Sequence, residues 1–122
     1  MAGVSHFRDL HVWQRGMNLV EAVYRLSASF PKSELYGLTE QIRRAAVSIP
    51  SNLAEGHSRE STKEYLNFVS MAQGSLAEVE TQLEIALRLR YASSADVAPL
   101  LEEAKVLGKQ LYALRNALGK RR

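Results

Sequence analysis

The longest periodic stretch of this sequence is residues 61–91, which read STKEYLNFVSMAQGSLAEVETQLEIALRLRY. Apolar side chains recur there in alternating steps of four and three residues, at Tyr65, Val69, Ala72, Leu76, Val79, Leu83 and Ala86. This spacing places them along one stripe of an α-helix, as in the seam of a coiled coil. Ser61 and Glu64 have the spacing of a capping box, in which side chains satisfy backbone N–H groups of the first turn. We therefore predict a helix on the order of 45 Å long, from about Ser61 to Tyr91.

Three further segments have apolar residues at helical spacing and are predicted as helices: about Asp9 to Phe30, about Ser33 to Glu55 and about Asp96 to Leu118. Pro31 ends the first segment, because a proline nitrogen cannot donate a hydrogen bond to the helix. Pro50 falls inside the second segment and is expected to kink it. Pro99 is tolerated in the first turn of the last helix, where backbone N–H groups have no helical partner.

Residues that favour helix ends flank these segments. Ser33 is expected to cap the start of the second helix, and Gly56 is a suitable residue just beyond its end. Either Ser93 or Ser94 is expected to cap the fourth helix. These signals support the boundaries that the apolar spacing predicts.

The connections between the predicted helices are short, about three to six residues, so successive helices are expected to be antiparallel neighbours. No stretch alternates apolar and polar residues as a half-buried strand would. The predicted fold class is all-α, an up-down-up-down antiparallel four-helix bundle with a proline-kinked second helix. We expect one domain over residues 1–122, with a short N-terminal arm at 1–8 and a basic C-terminal tail at 119–122.

The composition excludes several classes of protein. The 122 residues are 46% hydrophobic and include no cysteine. This is typical of a folded domain and excludes disulfide frameworks, thiolate metal sites and cysteine catalysis. No apolar run is long enough to cross a membrane, and residues 1–10 lack the pattern of a secretory signal. We therefore expect a cytoplasmic protein with no membrane partner.

The polar residues do not form the pattern of a catalytic, metal or cofactor site. The three histidines, His6, His11 and His57, occur in neither Glu-x-x-His nor His-Glu-x-x-His. Arg88 follows Glu84 at i+4, which favours a salt-bridged surface over acid–base chemistry. The sequence contains no Gly-x-Gly phosphate loop and no Gly-x-Ser-x-Gly. We therefore expect no enzyme activity, no metal and no cofactor.

Several of the predicted helices carry more apolar residues than one face of a bundle requires. The third helix has six such residues outside its seam: Leu66, Phe68, Met71, Ile85, Leu87 and Leu89. Gly16, Gly74 and Gly108 lie inside helices, where glycine costs up to about 1 kcal/mol relative to alanine. Close helix contact would explain these glycines, and neutral drift is the alternative. Together these features favour a homo-oligomer, whereas the alternative is a single bundle with a thicker core.

The whole chain has a net charge of +3. Its positive charge is concentrated at the C-terminal end. Residues 105–122 contain no acidic side chain and six basic ones: Lys105, Lys109, Arg115, Lys120, Arg121 and Arg122. Arg43 and Arg44 form a second cluster on the kinked helix. Such clusters attract phosphate backbones independently of sequence, and a solubilising tail that complements the helix dipole is the alternative. Tyr112 is the only aromatic residue near this tail, which argues against specific recognition of single strands.

Four stretches of the chain resemble one known protein family. They are FRDLHVWQ at residues 7–14, FPKSELYGL at 30–38, QIRRAAVSIPSNLAEG at 41–56 and GSLAEVE at 74–80. The family comprises bacterial four-helix-bundle proteins encoded in intervening sequences of large-subunit ribosomal RNA genes. The resemblance covers about residues 7–118, and the stretch at 41–56 is its most distinctive part.

The resemblance implies an up-down-up-down bundle that assembles as a homopentameric ring. It also implies distant kinship with the accessory proteins of diversity-generating retroelements, which look like basic pentameric barrels that bind nucleic acid and a reverse transcriptase. No catalytic residue is established for the family, so none is carried over. Pro50, Asn52 and Glu55 lie near the break in the second helix, where backbone groups and subunit contacts need polar partners.

From these observations we expect a non-enzymatic homo-oligomer, pentameric by the resemblance, that binds structured RNA or a ribonucleoprotein. Seven basic residues are expected to contact nucleic acid: Arg43, Arg44, Lys109, Arg115, Lys120, Arg121 and Arg122. The alternative is a protein-interaction adaptor with no nucleic-acid role.

Overall fold

Four α-helices account for most of the chain in the computed structural model, which describes residues 6–121. They are α1 (His11–Ser27), α2 (Leu38–His57), α3 (Thr62–Arg88) and α4 (Ser94–Gly119), with short 3-10 helices at Phe7–Asp9 and Lys32–Glu34. Each α-helix packs against its two neighbours in the ring order α1, α2, α3, α4. No strand occurs between residues 6 and 121. The predicted four-helix bundle is therefore confirmed.

The apolar seam predicted on α3 lies in the core of the bundle. Val69, Val79 and Leu83 are completely buried, and the other seam residues retain less than a tenth of their exposure. They pack with fully buried side chains of the other three helices: Leu19, Val23, Ile42, Ile49, Leu53, Leu107 and Leu111. Burying a side chain of this size stabilises a fold by about 1.5–3 kcal/mol, so this core holds the four helices together.

The second helix begins later than the sequence predicts. Ser33 lies in the 3-10 turn Lys32–Glu34 and does not cap α2, which begins at Leu38. Glu34 has that role instead, because its Oε1 accepts a hydrogen bond of 3.0 Å from the backbone N–H of Leu38. A carboxylate at this position also complements the positive end of the helix dipole.

Serine hydroxyls cap α3 and α4. Ser61 Oγ accepts a 3.1 Å hydrogen bond from the backbone N–H of Glu64, and it lies 3.2 Å from Glu64 Oε1. The hydrogen bond from the Glu64 N–H to the Ser61 hydroxyl is the one that the predicted capping box requires. The reciprocal bond differs, because the Glu64 carboxylate accepts from the Ser61 hydroxyl and not from the Ser61 backbone N–H. Ser93, and not Ser94, caps α4 by accepting from a backbone N–H at 3.1 Å.

Two prolines lie inside helices. Pro50 is buried in α2, which continues beyond it to His57. Since proline has no N–H, the carbonyl four residues earlier loses its usual helical donor. Pro99 lies in the second turn of α4 and not in the first, because that helix begins at Ser94. No described helix is both long enough and apolar enough to span a membrane.

The helical glycines differ in how closely their neighbours approach. A Cβ on Gly16 would lie 3.5 Å from Ile49 Cγ2, which is ordinary contact, and one on Gly74 would meet nothing within 4 Å. The closest approach is at Gly56, where a Cβ would lie 2.7 Å from the Cβ of Phe68. Gly56 also lies inside α2, not beyond its end as predicted. Close helix contact therefore explains Gly56 far better than Gly74.

Candidate nucleic-acid interface

A groove between the start of α3 and the end of α4 brings together basic residues that are distant in sequence. Its volume is about 570 Å³. Eight residues line it: Lys63, Leu66, Asn67, Ser70, Arg115, Asn116, Gly119 and Lys120. Three of these side chains are cationic, three are uncharged hydrogen-bonding groups, and none is a carboxylate. We call this the α3–α4 groove.

Helix geometry explains how these residues meet. Lys63 lies in the first turn of α3, and Asn67 and Ser70 follow it by four and seven residues, so the three share a face. Arg115 and Gly119 are likewise one turn apart on α4. Because adjacent helices of the bundle are antiparallel, the first turns of α3 lie beside the last turns of α4.

Ion pairing separates the cations of the α3–α4 groove from four of the arginines, but not from the other described basic residues. Four ion pairs elsewhere are Arg15–Glu103 at 2.9 Å, Arg25–Glu21 at 3.5 Å, Arg59–Glu55 at 3.2 Å and Arg88–Glu84 at 3.0 Å. Within residues 6–121, no carboxylate lies within ion-pair distance of Lys63, Arg115 or Lys120. No described carboxylate therefore neutralises these charges, an arrangement that favours an anionic ligand.

Arg43 and Arg44, adjacent in sequence, lie in different environments. Arg43 is half-buried, and its Nε donates a 2.8 Å hydrogen bond to Ser27 Oγ. Its guanidinium carbon also lies 4.6 Å from the centroid of the Tyr24 ring. These contacts hold the end of α1 against α2, so Arg43 serves the fold. Arg44 is exposed and lines a separate polar groove between α2 and α3.

The remaining basic residues predicted to bind nucleic acid are divided among several surfaces. Lys109 is exposed on α4 but does not line the α3–α4 groove. Lys120 lines that groove, whereas Arg121 lines a neighbouring cavity beside Tyr65. Burial raises the pKa of Tyr65, and the nearby charge of Arg121 opposes that rise. Arg122 lies outside the described residues.

Sequence reasoning missed Lys63. It is separated from the basic C-terminal region, residues 105–122, by about a third of the chain and lies between two glutamates, Glu60 and Glu64. The predicted antiparallel arrangement of the third and fourth helices could have identified Lys63. In such a pair, the start of α3, with position 63, lies beside the end of α4.

A polar cluster joins α2 to α3 near Pro50. Asn52 Nδ2 donates to the backbone oxygen of Ser48 at 2.8 Å and lies 3.0 Å from Ser48 Oγ. The hydroxyls of Ser48 and Ser75 are 2.5 Å apart across the two helices. Asn52 therefore bonds to the carbonyl one turn before itself, two residues before Pro50, and not to the carbonyl of Ala46 that the proline leaves without its helical donor. Glu55 forms an ion pair with Arg59 on the surface.

Potential metal ligands are dispersed over the bundle. In the part of the chain that the structure describes, no three histidine or acidic side chains converge closely enough to hold a metal ion. The α3–α4 groove contains none of these residue types. Its chemistry is that of hydrogen-bond donors and positive charge, which suits phosphate oxygens.

Fold and groove together define a four-helix-bundle protein with a basic groove that no described carboxylate lines. Residues 8–113 match the family model of the 23S rRNA-intervening sequence protein, and the chain belongs to this family. A crystal structure from Bacteroides thetaiotaomicron, of a protein of unknown function from the S23 ribosomal protein family, has a similar fold. It superposes with a TM-score of 0.77 at 19% identity, covering 85% of this chain and 97% of that one. No curated protein matches the chain.

Proposed function

We propose that this protein is a non-enzymatic homo-oligomer that binds RNA or a ribonucleoprotein through the α3–α4 groove. The observation that carries the proposal is the convergence of Lys63, Arg115 and Lys120 in a groove without a carboxylate. Cations of this kind bind phosphates and release counterions, which gives affinity that depends on salt and not on base sequence. Asn67 and Asn116 supply amide donors that reach phosphate or sugar oxygens.

An apolar groove between α1 and α2 supports self-assembly. It is lined by Trp13, Met17, Val20, Val47, Pro50, Ser51 and Ala54. Met17 and Val47 are 37% and 39% exposed although both are apolar. Apolar surface of this kind favours association with another protein surface. The resemblance to the family implies five copies, and a ring would repeat the basic groove so that weak contacts with RNA combine.

Titration of a labelled structured RNA tests the binding function. We expect anisotropy to report binding at low salt that weakens steeply as salt rises. The variant Lys63→Gln/Arg115→Gln/Lys120→Gln should reduce the slope of log affinity against log salt by about three. Arg25→Gln/Lys32→Gln/Lys105→Gln removes the same charge elsewhere and is the matched control. The proposal would be contradicted if both triple variants lost RNA affinity equally, or if the wild-type protein did not bind RNA at low salt.

Light scattering tests the assembly. We expect a mass several times that of one 13.6 kDa chain at micromolar concentration. Val47→Glu places a charge in the apolar groove and should reduce the mass while circular dichroism shows the helices intact. A wild-type protein that is monomeric at this concentration would exclude the oligomer.

The second candidate function is a protein-interaction adaptor with no nucleic-acid role, and the apolar groove between α1 and α2 is the observation that favours it. A heterologous partner that remains bound after nuclease treatment and in high salt, together with no RNA binding, would support this alternative.

A further inference from the structure

An exposed aromatic residue, Tyr112, lies on the same face of α4 as residues that line the α3–α4 groove, although it is not a lining residue itself. The side chain of Tyr112 on α4 is 61% exposed. Arg115 and Gly119, which line the groove, follow it at i+3 and i+7. Residues at these spacings share one face of a helix, so Tyr112 lies one turn from Arg115 on the side of α4 that faces the groove.

The register of the two helices places Tyr112 opposite an open part of α3. A Cβ on Gly108 would lie 3.5 Å from Leu76 Cδ2, so these two residues are at the same level. Since α3 and α4 are antiparallel and have the same rise per residue, Tyr112 is level with the α3 backbone between Ser70 and Gly74. A Cβ on Gly74 would meet no atom within 4 Å. The surface of α3 at Gly74, close to this level, is therefore open.

We propose that the α3–α4 groove binds a single-stranded segment of RNA without sequence specificity, with phosphates at its cations and a base stacked on Tyr112. A single aromatic ring argues against specific readout of a sequence, but it is sufficient for this kind of stacking. This inference rests on the proposed RNA-binding function and specifies the form of RNA that the groove prefers. Cations alone would bind duplex and single strand by the same mechanism. An exposed aromatic ring distinguishes them, because bases in a duplex are already stacked and unpaired bases are free to stack on protein.

The uncharged residues of the groove fit the same ligand. Asn67, Ser70 and Asn116 offer both hydrogen-bond donors and acceptors. A ribose 2′-hydroxyl is itself a donor and an acceptor, so such residues bind sugars as well as phosphates. An acidic peptide would satisfy the cations of the groove but would supply no nucleobase to stack on Tyr112.

The test compares two RNAs of one sequence with the full-length protein at one low salt concentration. One is an unstructured 12-nucleotide strand with a fluorescent label, and the other is the same strand paired in a blunt duplex. We expect tighter binding of the single strand. Tyr112→Ala should weaken single-strand binding about tenfold, the typical effect of losing one stacked base, and leave duplex binding unchanged.

Two variants control for the loss of the ring. Tyr112→Phe keeps the aromatic face and should retain single-strand affinity, whereas the hydroxyl would be required if Tyr112 acted by hydrogen bonding. Tyr36→Ala removes another exposed tyrosine, 88% exposed and distant in sequence from the groove, and should have no effect on either RNA. Because Tyr112 and Tyr36 are both exposed, Tyr112→Ala, Tyr112→Phe and Tyr36→Ala should all melt at the wild-type temperature.

The outcomes separate this inference from the proposed function. If single strand and duplex bind equally and Tyr112→Ala changes neither, the inference is wrong while RNA binding stands. If neither RNA binds at low salt, both fail. If a glutamate-rich peptide displaces the single strand and binds with an affinity that Tyr112→Ala does not alter, the groove is a site for acidic protein segments, which also overturns the inference.

Discussion

Tyr91 Oη donates a 2.8 Å hydrogen bond to Glu34 Oε2, joining two residues that are 57 positions apart. The other carboxylate oxygen of Glu34 accepts from the backbone N–H of Leu38 at 3.0 Å. One carboxylate thus caps α2 and links the α1–α2 connection to the α3–α4 connection. The backbone hydrogen bond and then that of Tyr91 lower the pKa of Glu34, while the same contact with Glu34 raises the pKa of Tyr91.

The first prediction concerns acid stability. The pKa of Glu34 in the folded protein is below its ordinary value of 4.5, so the folded state binds fewer protons than the unfolded state in this range. Its contribution to stability is therefore complete above pH 4.5 and is lost as the pH falls through the lowered folded pKa. Glu34→Gln should lower the melting temperature at pH 7 and flatten the decline in stability below pH 4.5.

Thermal unfolding followed by circular dichroism between about pH 2 and pH 8 checks this prediction. Glu80→Gln is a suitable control, because Glu80 is exposed on α3 and forms no ion pair with another described residue. If Glu34→Gln and Glu80→Gln have the same pH profile, the carboxylate of Glu34 does not stabilise the fold in this way.

The second prediction concerns the alkaline limit. The pKa of Tyr91 in the folded protein is above its ordinary value of 10.0. The contribution of the Tyr91 hydroxyl to folding stability is therefore complete below pH 10.0 and is lost as the pH rises through the raised folded pKa. Tyr91→Phe should lower stability at pH 7 and make unfolding less dependent on pH above 10.0. Absorbance titration of this variant should show the loss of one late-titrating tyrosine. An unchanged melting temperature for Tyr91→Phe would contradict this account.

The third prediction compares two glycines within helices. A Cβ on Gly56 would lie 2.7 Å from Phe68 Cβ and 3.0 Å from Tyr65 Cδ1, so Gly56→Ala forces α2 and α3 apart. Overpacking of this kind costs about 1–3 kcal/mol. Gly74→Ala meets nothing within 4 Å and should gain up to about 1 kcal/mol from helix propensity. Urea unfolding measures both changes, and a destabilising Gly74→Ala would indicate that another subunit approaches this position.

The core could be predicted from the sequence because burial has a simple period. The apolar positions of α3 from Tyr65 to Ala86 follow one stripe, and one stripe of a helix faces one core. The start of α2 could not be predicted in this way. Ser33 is a good capping residue by type, but a 3-10 turn brings the carboxylate of Glu34 to the first residue of α2 instead. Side-chain type alone does not show which turn precedes a helix.

The candidate site was predictable only in part. Arg115 and Lys120 belong to a run of basic residues that is visible in the sequence, whereas Lys63 joins them only through helix pairing. Arg43 and Arg44 could not be told apart by charge. Successive residues of a helix are about 100° apart around its axis, so one guanidinium meets α1 while the other remains exposed. Charge patterns in sequence do not show which cations serve the fold.

The fourth prediction separates these two arginines. Arg43→Ala removes the hydrogen bond to Ser27 and the contact with the Tyr24 ring, and should cost about 1–3 kcal/mol of unfolding free energy. Arg44→Ala removes an exposed side chain with the same charge and should change stability by less than about 0.5 kcal/mol. Urea unfolding of both variants makes the comparison. Both variants lose one positive charge, so a larger decrease in unfolding free energy for Arg43→Ala measures the effect of its contacts with α1. Equal decreases in the two variants would show that those contacts do not stabilise the bundle.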